Sequence, residues 1–165
     1  VEIYEMDPHP SDRDAVASAI GQGTHAYSAI NLCRYVSTLA TSGVCHDFTL
    51  VSKITDYNGN VIRDNGPVVS NTMNVSSSTW NAVHQGMRLV IENTASFKGL
   101  PYQAAGKSGT AQENTNKADH ITFISYAPYD NPEVAVSVLI PNGYASSNAA
   151  KLTSDIYKIY WGLDK

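Results

Sequence analysis

Ala105-Gly106-Lys107-Ser108-Gly109-Thr110-Ala111-Gln112 is the stretch on which the reading of this 165-residue chain turns. It gathers one cation, two hydroxyls and two glycines between positions 106 and 111. A lysine between glycines lets the backbone approach an anionic ligand closely. Ser108 and Thr110 add hydroxyl donors, and Gly109 leaves room for that ligand. Taken alone, so short a pattern also fits a solvated lysine on an ordinary surface strand. A phosphate-binding loop, G-x-x-x-x-G-K-[ST], would wrap backbone amides and the lysine around phosphates. Its first glycine would fall on Pro101, which has no N–H and a fixed φ. That loop should also open a helix, whereas Lys107-Ser108 runs into Gly109 and a polar stretch ending near Asp119. Nucleotide binding is therefore a distant alternative.

Working outward, residues 120–127 and 134–140 are rich in β-branched and aromatic side chains and flank a Pro-bounded turn, which predicts an antiparallel pair. Upstream, Ala29, Leu32, Cys33, Val36, Leu39 and Ala40 recur at helical spacing and Gly43 follows as a stop signal. Residues 48–56 and 61–63 flank Tyr57-Asn58-Gly59-Asn60 and predict a hairpin turning at Asn58-Gly59. The Asn- and Ser-rich residues 66–77 read as a loop whose last hydroxyls cap a second helix, marked by Trp80, Val83, Met87, Val90 and Ile91 and ending near Glu92. A third helix follows from Ala149, Leu152, Ile156, Ile159 and Tyr160, with its cap at Ser147 or Asn148. Residues 1–14, with Pro8 and Pro10, read as an irregular lead-in, and Gly21-Gln22-Gly23 as a turn, in which Gln22 is read as a turn residue in preference to one that approaches a substrate. With no internal repeat or linker, residues 1–165 predict one α+β domain in which an antiparallel sheet packs against helices. Strand alternation sets Lys107 with Gly109 on one face and Ser108 with Thr110 on the other. One ligand meets both sets only along an edge, so the 105–112 strand is expected at the sheet edge, where a peptide can add as a further strand.

Composition narrows the function. A net charge of −4 and a pI near 5.6, without any Lys/Arg run, argue against nucleic acid. No apolar run approaches the ~20 residues of a membrane span, and no charged-then-apolar leader opens at Val1. The first residue is not Met, so the chain is expected to be processed or to be a piece of a longer protein. Cys33 and Cys45 are too few for a disulfide framework and are expected as free thiols. The histidines at 9, 25, 46, 84 and 120 lack metal-ligand spacing, so no metal is suggested. Trp80, Met87 and Trp161 have core spacing. His120 beside Asp119 reads as structural, because adjacent strand residues point to opposite faces.

The 105–112 stretch resembles the third motif, K-[TS]-G-T, of penicillin-binding transpeptidases and serine β-lactamases, whose other signatures are S-x-x-K and S-x-N. The resemblance is to the C-terminal part of the transpeptidase domain of a class B penicillin-binding protein. Residues 120–128 are similar to that family's following strand, 132–136 to its last, and Ala19-Ile20-Gly21-Gln22-Gly23 with the helix to Ser42-Gly43 to the segment between its second and third motifs. It implies a D,D-transpeptidase that cross-links peptidoglycan through a serine acyl-enzyme, without metal or organic cofactor, on the outer side of the cytoplasmic membrane and anchored outside this chain. Lys107 would face the substrate carboxylate and the S-x-N serine, and Ser108 and Thr110 would hydrogen-bond the carboxylate of a D-Ala-D-Ala stem peptide or of a β-lactam. Gly109 gives the ligand room, and the Thr110 N–H would be one of two oxyanion donors, making Lys107 and Thr110 the catalytic candidates.

The nucleophile is absent: no serine has a lysine three positions on. The lone S-x-N, Ser146-Ser147-Asn148, follows the third motif, where helix capping is the better reading. The chain alone is therefore expected not to acylate, and the missing N-terminal half of the domain is its implied partner. The family's final strand pairs with strands from that half, so residues 134–140 are expected to be left as an unprotected edge that dimerises, swaps elements or keeps the missing half. A β-lactam receptor or sensor domain is a second reading. A serine β-lactamase is a third, for which Thr110-Ala111-Gln112 is less typical.

Overall fold

The computed structural model describes residues 16–18, 21–22, 27–112 and 116–163. The lead-in at 1–14 and Gly23 lie outside the described residues. Helix α1 (Ala29–Ala40) begins at Ser28, whose hydroxyl accepts the Asn31 N–H, and it ends as Ser42 and Gly43 adopt left-handed backbone. A Cβ at Gly43 would collide with Trp80, so this turn requires glycine for space as well as for its φ of +101°. Helix α2 (Ser77–Glu92) starts at Ser76, which accepts the Thr79 N–H. A short 3₁₀ turn (Ala95–Phe97) follows it, and helix α3 (Ser146–Tyr160) ends the described chain.

Between α1 and α2 lie four short strands: β1 (Val44–His46), β2 (Lys53–Thr55), β3 (Val61–Asp64) and β4 (Val69–Thr72). β1 pairs with β4 and β2 with β3, both antiparallel. The expected 48–56 strand is only Lys53–Thr55, and the expected 66–77 loop contains β4. Both departures have one cause. Every residue of β2, β3 and β4 is exposed, so no buried face imposes the alternation by which a strand is recognised. At the hairpin tip Asp56 N–H donates to the Asn60 carbonyl and Gly59 is left-handed, which makes a three-residue loop instead of a two-residue one.

The main sheet is antiparallel with the order β5 (Ala105–Ala111), β6 (His120–Ala127), β7 (Val134–Ile140), so β5 and β7 are its outer strands. It is buried on both faces. Tyr126 and Ala105 pack with Val36 and Leu39 of α1 and with Trp80 and Met87 of α2. On the opposite face Ile121, Phe123, Val136 and Val138 pack with Ala149, Ala150 and Tyr157 of α3. Burial of large apolar side chains, each worth about 1.5–3 kcal/mol, is what holds this layered unit together. The cap expected at Ser147 or Asn148 is corrected: α3 begins at Ser146, with Ala145 in the cap position, and no side chain caps it. Asn148 lies in the first turn, and its amide instead donates to the Gly143 carbonyl at 3.0 Å.

Candidate active site

The first half of β5 is held from three directions. Arg88 of α2 donates to the Ala104 carbonyl at 3.4 Å. From α3, the buried Tyr157 hydroxyl donates to Ser125 Oγ, and Ser125 donates to the Ala105 carbonyl, both at 2.8 Å. Gly106 is buried where a Cβ would strike the Ile124 carbonyl, the Phe123 ring and Ile91, so glycine alone fits there. Beyond Gly106 the strand leaves the core: Lys107 and Thr110 are exposed, Ser108 and Gly109 partly so.

Opposite β6, Lys107 pairs with Ile124, Ser108 with Phe123, Gly109 with Thr122 and Thr110 with Ile121. Directly opposed residues share a face. Lys107 and Gly109 therefore sit on the side of Ile124 and Thr122, and Ser108 and Thr110 on the other, as alternation requires. The four candidate residues are contiguous on a strand that, among the described residues, has one neighbour, which is the expected edge placement. A strand through 105–111 is also incompatible with a phosphate loop opening a helix. The Lys107 ammonium donates to the carbonyl of Ser108 at 2.7 Å, a bond along its own strand that uses one of its three donors. At Gly109 a Cβ would run into Thr122 Oγ1, so the missing side chain allows close passage of the β6 hydroxyl as well as of a ligand.

Other candidates resolve as structural. His120 Nδ1 accepts the Asn142 N–H at 3.3 Å, and Trp80 and Met87 are buried in the α1–α2 cluster. Trp161 packs among Tyr102, Tyr157 and Tyr160. Cys33 and Cys45 are free thiols, and burial pushes the Cys33 thiol above its ordinary pKa. Ser147 lines a surface depression with residues 94–96, Lys151 and Asp155. Among the described residues no group of three or more His, Cys, Asp and Glu is placed to hold a metal ion, and no helix is long and apolar enough to cross a membrane. One residue for which the sequence favours the turn reading reaches the candidate strand: Gln22 Nε2 donates to the Thr110 carbonyl at 2.9 Å. Its position between two glycines, 88 residues from Thr110, gave no sign of that partner.

The penicillin binding protein transpeptidase domain model matches residues 5–158. The chain belongs to the penicillin-binding protein transpeptidase family. Penicillin-binding protein 2B of Streptococcus pneumoniae is 29% identical over 162 residues, a match covering 88% of this chain and 24% of that protein. Peptidoglycan D,D-transpeptidase MrdA of Haemophilus influenzae is 31% identical over 169 residues, covering 89% of this chain and 26% of the relative. The solved structure of the S. pneumoniae 2B protein, 27% identical, superposes with a TM-score of 0.83 over 94% of this chain and 28% of that one. Penicillin-binding protein A of Mycobacterium tuberculosis, solved as a ceftriaxone acyl-enzyme complex, has a TM-score of 0.82 at 23% identity over 92% of this chain and 36% of that one, and shares the fold. The chain thus spans about a quarter of the length of the curated relatives it matches. The α+β architecture stands, and so does the likeness to part of the transpeptidase domain of a class B penicillin-binding protein.

Proposed function

We propose that this chain is the third-motif part of a peptidoglycan D,D-transpeptidase that cross-links stem peptides through a serine acyl-enzyme and is acylated by β-lactams. The observation that carries the proposal is the exposed Lys107-Ser108-Gly109-Thr110 run on an edge strand whose start is fixed in the core. On that strand the Lys107 ammonium faces the carboxylate of a D-Ala-D-Ala terminus or of a β-lactam. Ser108 and Thr110 bond the carboxylate from the other face, Gly109 gives it room, and the Thr110 N–H is one oxyanion donor. Fixed donors of this kind stabilise charge that develops in the transition state, about 3 kcal/mol for one such N–H. The nucleophilic serine comes from the N-terminal half of the domain, outside this sequence. The work is done on the extracytoplasmic face of the membrane.

In the complete domain, Lys107→Ala is expected to slow acylation by benzylpenicillin about 100-fold, the scale of one lost electrostatic contact in acyl transfer, with an unchanged melting temperature. A loss of twofold or less would return Lys107 to the role of a solvated surface charge. The 165-residue chain alone should form no covalent penicillin adduct by intact mass, and a stable one-to-one adduct would sink the assignment of the missing serine.

The outer strand β7 carries the second part of this proposal. Val136 and Val138 are spent in the α3-side core, whereas Leu139 is 39% exposed and the strand contains no lysine, proline or internal charge to discourage pairing. The chain by itself is expected to dimerise through β7 or to retain the N-terminal half, with Leu139→Lys shifting it toward monomer. Light scattering that finds a 17.8 kDa monomer, unaltered by Leu139→Lys, would overturn this.

A further inference from the structure

The two ends of β5 are secured differently. Its beginning is fixed by the α2 and α3 side chains described above, but Thr110 and Ala111 form an end that is paired, among the described residues, to β6 alone. Strand ends of this kind open locally at little cost in free energy. Against that opening stands, among the described residues, a long-range side-chain bond from Gln22 Nε2 to the Thr110 carbonyl at 2.9 Å. Gln22 is itself firmly mounted. Its N–H donates to the Ala17 carbonyl at 2.8 Å and the Gly21 N–H to the Ser18 carbonyl at 3.0 Å, with Gly21 at a φ of +78°. That pair of bonds around a left-handed glycine has the spacing of a Schellman closure, which holds the backbone of the residue after the glycine.

We propose that Gln22 is a positioning residue for the third motif: its side-chain amide clamps the Thr110 carbonyl and thereby aims the Thr110 N–H. In an antiparallel strand the N–H and C=O of one residue point the same way, since opposed residues exchange both bonds as a pair. A side chain that fixes the direction of the Thr110 carbonyl therefore fixes that of its N–H. Gln22 touches neither substrate nor reacting atoms and acts through Thr110. Its carboxamide supplies the N–H donor that the carbonyl needs, whereas a carboxylate of the same shape offers only acceptors. The inference rests on the Thr110 N–H being an oxyanion donor, as set out under Proposed function.

The complete domain decides it. Gln22→Ala and Gln22→Glu are expected to lower the acylation rate constant for benzylpenicillin about tenfold, a fraction of the ~10²–10³ that a whole oxyanion donor is worth. The non-covalent dissociation constant and the melting temperature should stay unchanged, and Gln22→Lys, which keeps a donor on a long stem, should recover most of the rate. Amide hydrogen exchange at Thr110 and Ala111 should accelerate in Gln22→Ala and not in Gln22→Lys. Unchanged exchange in Gln22→Ala overturns the clamp, and this readout remains available if the unsubstituted domain fails to acylate, a result that counts against the proposed function instead. Unchanged or faster acylation in Gln22→Ala overturns the positioning role, the faster case meaning that Gln22 blocks the edge. A loss carried by weaker binding or matched by a lower melting temperature overturns it as well.

Discussion

The β5–β7 sheet and the β1–β4 region are built from similar residues and held by different forces. In the sheet, Ile121, Phe123 and Tyr126 are at most 1% exposed, covered by α3 on one face and by α1 and α2 on the other. In the β2–β3 hairpin Ile54, Val61 and Ile62 are 45–69% exposed, and among the described residues the hairpin packs against no other strand or helix. β1 and β4 are tied to α1 mainly through polar chemistry: Arg34 donates to the His46 carbonyl at 2.8 Å and to Ser70 Oγ at 2.6 Å, and lies over the Phe48 ring. The contrast teaches that strand-forming sequence does not imply a core. Apolar burial fixes the sheet, while backbone pairing and local hydrogen bonds fix the hairpin.

Truncation of one large apolar side chain to alanine in each region should give very different losses. Phe123→Ala removes a ring stacked on Phe97 at 5.7 Å in the α3-side core and should cost about 3–5 kcal/mol. Ile62→Ala, at 69% exposure, should stay within about 0.5 kcal/mol. Thermal or denaturant melting would compare them. Equal losses would mean that the hairpin carries a core of its own.

The same contrast explains what could be read from the sequence. Helices α1 and α2 announced themselves through Val36, Leu39, Trp80, Met87 and Ile91, all of which are buried and recur at helical spacing. Likewise β6 and β7 showed their apolar, β-branched runs, and Lys107 to Thr110 was legible because glycines bracket a cation and hydroxyls. By contrast β1 and β4 were hidden: three and four residues long, without a buried alternating face, they are strands only because each supplies the other's partners. The start of α3 was misplaced because Ser146, Ser147 and Asn148 have cap chemistry, yet Asn148 is engaged with Gly143. For Gln22 the turn reading outweighed an approach to the site for a different reason, since a bond spanning 88 residues leaves no local signature of its partner.

Two tyrosines of the sheet region sharpen the comparison from inside. Tyr157 has a partner for its hydroxyl, Ser125, whereas the buried Tyr126 hydroxyl has none among the described residues. Burial pushes both above the ordinary tyrosine pKa, Tyr126 to about 12. The protonated forms are therefore favoured by folding. Their contribution is complete below the ordinary value near 10 and is lost as pH rises through about 12 for Tyr126. Tyr126→Phe removes an unpaired polar atom, so it is expected to be neutral or to stabilise by up to about 1 kcal/mol at pH 7, and to blunt part of the alkaline loss. Tyr157→Phe should cost about 1 kcal/mol at pH 7, because Ser125 loses its donor. Melting at pH 7 and pH 11 separates the two, and a destabilised Tyr126→Phe at pH 7 would show that its hydroxyl is satisfied.

The smallest expected effect lies at the other end of the molecule, at the hairpin tip. Asp56 Oδ1 accepts the N–H groups of Asn58 and Asn60, both at 2.9 Å, and Oδ2 accepts the Asn60 side-chain amide at 2.8 Å. These bonds, the Asn60 side chain first, hold the Asp56 carboxyl below the usual carboxylate range. The ionised form is thus the one that the folded turn prefers. Its contribution is present above the ordinary value of about 3.9 and is lost as pH falls through the lowered one. Because the tip is exposed and the hairpin packs on nothing else, the loss should stay local. Asp56→Ala is expected to speed hydrogen exchange at Asn58 and Asn60 and to leave exchange in β6 and the melting temperature unchanged. Lowering the pH below the Asp56 value should reproduce the faster exchange in the unsubstituted chain, after correction for the intrinsic rate. If Asp56→Ala instead lowered the melting temperature as much as a core truncation does, the hairpin would be coupled to the sheet, and the division of this molecule into a packed and a merely paired half would fail.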